Sequence, residues 1–163
     1  MYPSLFQLVR STTTRPWREV HDDRHYKIVS RGEFETLIRE EEFLEHDTYL
    51  DNLYGLEYEE LYRVLYVAHG VMALTPWGAM AVQDRAIDVV SCVILVSASE
   101  SVLRKNLKRR GVDDPESVSI KIRRASEFVL PEGRYQDTIE MRGDDSDFPR
   151  FEEIVRKEAF PFK

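Results

Sequence analysis

Cysteine is almost absent. Cys92 stands alone among 163 residues, which excludes an internal disulfide and any multi-cysteine metal site and suits a reducing compartment. Glycine and proline are sparse as well, seven of each, so the chain is neither collagen-like nor low in complexity. Long apolar runs are missing. The most apolar stretch, residues 86–98 (AIDVVSCVILVSA), is interrupted by Asp88 and falls short of the about 18 residues that a membrane helix needs. The opening MYPSLFQLVR has no basic region leading into an apolar core of signal length. The expectation from these absences is a cytoplasmic chain with no membrane partner. Bases are outnumbered, 23 Lys+Arg against 30 Asp+Glu for a net charge of −7, which argues against a nucleic-acid partner.

The remainder is globular in composition, 42% hydrophobic and 33% charged. The length is enough for one domain with a real core, so a single domain over 1–163 is expected. Charge is uneven along it. Residues 1–18 hold Arg10, Arg15 and Arg18 and no acid, and residues 19–60 hold fourteen acids against four bases. Residues 104–124 reverse this, with eight bases against three acids. Two basic regions in an acidic chain are suited to framing a small anion, although solvated surface charge explains either run equally well.

Strand and helix signals alternate. LFQLVR (5–10) and HYKIV (25–29) read as strands on either side of a polar loop, STTTRPWREVHDDR. Ser30 and Glu33 have the spacing of a capping box, opening a helix with Phe34, Leu37 and Ile38 on one face. EFLEHDTYL reads as strand, broken at Asp51–Asn52, and a helical stripe follows from Leu56 to Ala68. VMALT (71–75) reads as a short strand before a turn at Pro76–Trp77–Gly78 into a small helix. SCVILVSA (91–98) carries the strongest buried-strand signal, with flanking helices that fit a sheet covered on both faces. Ser99 and Asp114–Pro115 begin two further helices; Tyr135–Met141 is a last strand, and Asp147 caps a final helix with Phe148, Phe151, Ile154 and Val155 inward. This alternation predicts the α/β class.

One segment is specific. Ser11, Thr13, Thr14, Arg15 and Arg18 are followed by Tyr26, Val29 and Ser30, then Glu42–Phe43–Leu44–Glu45, then Asn52, Tyr54 and Gly55. In order and spacing this resembles the guanylate kinase family. The likeness continues more weakly through VMALTPWGAM, SCVILVSASESVLRKNLKRRG, SVSIKIRRA and YQDTIEM. The resemblance implies a P-loop-kinase-like parallel sheet with flanking helices, a GMP-binding subdomain near 19–56 and a lid near 99–124. It also implies roles. Arg15, Arg18, Tyr26 and Tyr54 hold the phosphate of GMP, Ser11 and Glu45 meet the guanine, and Arg110 and Arg123 belong to the lid. The residue types suit those tasks. Arginine presents a planar fork of donors to phosphate oxygens, tyrosine adds a neutral donor, and a carboxylate accepts from the ring N–H and amino group of guanine.

The same resemblance exposes what is lacking. GxxxxGK[ST], the loop that cradles donor phosphates, occurs nowhere in these residues. The likeness begins beyond the strand, loop and helix that carry it in the family, so the expectation is a sheet truncated at its amino terminus and lacking a core strand. Ala73 and Thr75 stand where the family has acids, and Leu56 where it has Ser or Thr. No catalytic residue, metal site or cofactor is assigned. The expected function is that of a guanylate kinase homologue without phosphoryl transfer that retains weak binding of GMP or another phospho-ligand. Two alternatives stand beside it: a scaffold-type module for a phosphorylated peptide, and a fragment of an active ATP:GMP phosphotransferase. The missing strand leaves three outcomes open: a marginally folded relic, a sheet completed by a second protein chain or by self-association, and a rearranged sheet.

Overall fold

A computed structural model describes residues 5–17, 22–86, 88, 92–112, 114–127, 129–144 and 146–159. In chain order the elements are β1 (Phe6–Leu8), β2 (Ser11–Thr13), α1 (Asp22–His25), β3 (Tyr26–Ile28), α2 (Arg31–Arg39), β4 (Phe43–Tyr49), β5 (Asn52–Glu57), α3 (Tyr58–Leu65), β6 (His69–Val71), α4 (Pro76–Arg85), β7 (Ile94–Ala98), α5 (Glu100–Arg109), α6 (Pro115–Glu127), β8 (Asp137–Met141) and α7 (Asp147–Ala159). The class is α/β. The chain forms two compact units, 1–87 and 88–163. Among the described residues no helix is long and apolar enough to cross a membrane.

The first unit holds two sheets. β1 pairs in parallel with β6, and a second sheet runs β3–β2–β5–β4. β2 is parallel to β3, while β5 is antiparallel to both β2 and β4. The core gathers Phe34, Phe43, Leu44, Leu56, Leu61 and Val64. α2 begins with the expected capping box, Ser30 and Glu33 each satisfying the other's backbone N–H. Its Phe34 stacks on Phe43 at 4.5 Å between ring centroids.

Several sequence expectations are corrected here. Ser11–Thr13 is strand rather than loop, because β3 and β5 pair with it on its two sides. Leu56, expected to open a helix, is 1% exposed within β5. The hairpin turns at Leu50–Asp51, one residue before the predicted break, with both residues at positive φ (48° and 65°). That backbone suits the right-handed twist of a two-residue hairpin but is uncommon for leucine. The strand expected at 71–75 is instead β6, His69–Val71.

β4 carries a bulge between Phe43 and Glu45, since Phe43 pairs with Glu57 whereas Glu45 pairs with Leu56. The extra residue reverses the side-chain alternation. Phe43 therefore lies on the α2 side with Gly55, and Glu45 on the opposite side. Phe43 then occupies the space beside Gly55, where an added Cβ would lie 2.7 Å from two ring carbons of Phe43. Gly55→Ala is expected to destabilise the chain by about 1–3 kcal/mol through overpacking. The measurement is the urea midpoint, which should fall at unchanged m value; an unaltered midpoint would show that Phe43 yields freely.

In the second unit β7 pairs in parallel with β8, Ile94 opposite Asp137 through Ala98 opposite Met141. The apolar run around β7 was expected to be buried on both faces, yet Val96 is 53% exposed. With β8 as its partner among the described residues, apolar composition alone does not enclose the strand. Ser99 caps α5 through Val102 N, and Asp114 accepts from Ser117 N at the start of α6. Asp147 is buried and accepts from Arg142 N and Gly143 N, tying down the turn behind it. Phe148, expected inward, is 54% exposed because it occupies the first turn of α7, next to that loop.

Candidate functional site

Three consecutive threonines precede Arg15, and two of them fix its place. Thr13 is fully buried; its hydroxyl donates to Leu53 O (2.8 Å) and accepts from Arg15 N (3.1 Å). Thr14 Oγ1 accepts from Leu53 N (2.9 Å), and Thr14 N donates to Leu53 O (3.1 Å). The end of β2 is thus clamped to β5, with Arg15 held just beyond it. The Arg15 side chain is 5% exposed residue-wide, its guanidinium carbon lies 4.8 Å from the Tyr26 ring centroid, and Nη1 donates to Pro16 O. A cation over a ring face is attracted by the ring quadrupole. Tyr54 lies edge-on to Tyr26 at 6.2 Å. Arg15, Tyr26 and Tyr54, drawn from separate segments, converge on one cluster of donors.

Register places the other predicted residues on the same face of the sheet. Ser11 is the partner of Tyr26, Thr13 of Tyr54, and Tyr54 of Asp47, and paired residues share a face. The bulge brings Glu45 onto that face, two positions before Asp47. On the other face Thr12 donates to Glu57, which also accepts both contacts of Lys27 Nζ (2.8 and 3.0 Å). This network ties β2, β3 and β5 together beneath the cluster.

Glu45 is 8% exposed. Burial pushes its carboxyl up to about 7, the neighbouring Asp47 adds to the rise, and Arg85 opposes it. The first turn of α4 lies against it. A Cβ at Gly78 would lie 3.0 Å from Glu45 Oε2, so glycine permits an approach that alanine, the better helix former, would obstruct. Thr75 caps that helix, its hydroxyl accepting from Gly78 N, and Arg85 at the far end donates to Leu44 O. Glu45, His46, Asp47, Trp77, Gly78, Ala81 and Arg85 line an open cavity of about 250 Å³. It can present a carboxylate or a carboxylic acid to a flat polar ring.

The remaining predicted residues are not all gathered here. Arg18 lies outside the described residues. Arg110 is the exposed C-cap of α5, and Arg123 lies on α6 with its side chain 71% exposed and Nε 3.9 Å from Glu127; both belong to the second unit. Among the described residues no group of three His, Cys, Asp or Glu side chains is placed to hold a metal ion. Sequence reasoning passed over Asp47, Trp77, Gly78 and Arg85. For Asp47 a signal existed, since it alternates with Glu45 along a strand. Thr75 registered only as a missing charge, whereas Thr–Pro is itself a helix-start signal.

A family model described as guanylate kinase matches residues 1–145. The guanylate kinase of Rickettsia bellii (strain RML369-C) is 28% identical over 132 residues, covering 80% of this chain and 69% of that protein. The guanylate kinase of Bradyrhizobium diazoefficiens is 32% identical over 152 residues, 91% of this chain and 68% of that protein. Among solved structures, the guanylate kinase of Anaplasma phagocytophilum is similar in fold, with a TM-score of 0.64 at 22% identity, over 95% of this chain and 77% of that one.

Proposed function

The chain belongs to the guanylate kinase family, and from that premise we propose that it binds GMP as an acceptor-type ligand and does not, with these residues alone, transfer a phosphoryl group to it. The observation that carries the reading is the convergence of Arg15, Tyr26 and Tyr54 on the sheet face that also bears the buried Glu45. One end offers a cation and two phenols to a phosphate. The other offers an acceptor to the N–H groups of a guanine edge. Arg18 joins the phosphate set by its place in the motif, and Ser11 joins the base set. In this reading residues 19–56 form the acceptor subdomain and residues 99–124, with Arg110 and Arg123, the lid.

Two features support binding without transfer. The 163 residues contain no GxxxxGK[ST], the source of the amides and lysine that hold donor phosphates. Ala73 brings no carboxylate, and the Thr75 hydroxyl is engaged in capping α4. The test is calorimetric titration with GMP and AMP, together with a coupled assay for GDP in the presence of ATP and magnesium. GMP is expected to bind at least about tenfold more tightly than AMP, because a site built on acceptors leaves the adenine edge mismatched, and no GDP should form. Absence of GMP binding would overturn the site. Steady GDP production would overturn the claim of no transfer.

A further inference from the structure

We infer that Trp77 is a stacking residue that covers the face of the bound base, an inference that rests on the acceptor-site reading above. The indole belongs to the first turn of α4, is 67% exposed, and borders the same cavity as Glu45 and Asp47. Trp77 and Ala81 are four residues apart on the helix, and Arg85 follows four later, so a single stripe of α4 faces the cavity. Within that stripe Gly78 and Ala81 are small. They leave open space beside the indole instead of filling it.

A planar heterocycle has two kinds of surface to satisfy. Its edge carries donors and acceptors, and its faces are apolar and polarisable. Glu45 and Asp47 address the edge. Neither carboxylate offers anything to a face, and of the side chains lining the cavity Trp77 is the one large apolar ring. An exposed tryptophan beside a buried acceptor is arranged as a platform is, with the ring face supplied from a helix and the hydrogen-bonding edge from a strand. Base–aromatic stacking is tolerant of base identity. Trp77 is therefore assigned affinity for the ring, with the choice among rings left to Glu45.

The chain has two tryptophans, so a Trp17→Phe background leaves Trp77 as sole indole emitter. In that background GMP is expected to change the emission with the midpoint measured by calorimetry. Trp77→Ala should weaken GMP binding by about tenfold, and Trp77→Phe should retain most of the affinity. Ribose 5-phosphate, which carries the phosphate without a base, should bind wild type and Trp77→Ala alike. Unfolding midpoints of both variants serve as the check on folding, and the exposed position predicts little change. If GMP binds the wild type and Trp77→Ala equally, with no emission change, the stacking role is overturned while the acceptor site stands. If GMP binds neither protein, the acceptor-site reading is overturned and this inference with it.

Discussion

Arg15→Ala is expected to weaken GMP binding by a hundredfold or more while leaving the chain folded. Arg15 is held before any ligand arrives. Its backbone N–H is bound to the Thr13 hydroxyl, and its guanidinium lies against the Tyr26 ring. A preorganised donor gives up little conformational entropy when it engages phosphate. Hydrogen bonds to a charged group contribute about 1.5–3 kcal/mol each, and the guanidinium fork is shaped to make two. Arg15→Lys should recover only part of the loss, since an ammonium is a point charge without the fork. The cost to stability should be near the worth of the cation–ring contact, about 0.5–2 kcal/mol. Calorimetry with GMP and urea unfolding of the three proteins separate these effects. Wild-type affinity in the alanine variant would remove Arg15 from the phosphate site.

The second large effect is a pH dependence that runs in opposite directions for folding and for binding. The Glu45 carboxyl is pushed up to about 7 in the folded chain, first by burial and then by Asp47, against the opposing charge of Arg85. A carboxyl with a raised folded pKa holds its proton more tightly in the native state than in the unfolded one. Its contribution to stability is therefore complete below the unfolded value near 4.5, and it is lost as pH climbs through about 7. The full swing is on the order of 3 kcal/mol. Binding follows the reverse course, because only the ionised carboxylate accepts from both guanine N–H groups. Affinity for GMP should rise with pH over the range in which stability falls. Glu45→Gln removes the titration. The difference between wild type and this variant, measured by urea unfolding from pH 5 to pH 8, isolates the Glu45 contribution from the rest of the chain. Parallel stability curves for the two proteins would show that Glu45 does not titrate in this way.

What the sequence makes legible is what local chemistry fixes. The capping box of Ser30 and Glu33 is a four-residue signal, and the structure contains it. Of the candidate site, the motif names Arg15, Tyr26 and Tyr54, and three strands place them side by side. What was not legible depends on partners remote in sequence. Ser11–Thr13 is polar and short, so it becomes a strand only because β3 and β5 flank it. Leu56 has helical spacing to Leu61 and Val64, yet its pairing with Glu45 draws it into β5. The apolar composition around β7 suggested burial, but enclosure depends on how many neighbours a strand has. Trp77 stood in a turn signal, and nothing local reveals that the turn faces a cavity.

The bulge in β4 has a genetic consequence. Substitutions along the strand change one side chain at a time, and most leave the alternation intact. Leu44 is the extra residue, so its loss would leave Phe43 opposite Glu57 and Glu45 opposite Leu56 in an unbroken ladder, with both acids still on the Tyr54 face. Loss of His46 has no such slack. Glu45 and Asp47 would become adjacent and fall on opposite faces, although neither codon had changed. The site is thus encoded partly in spacing, and an indel is graver beyond the bulge than within it.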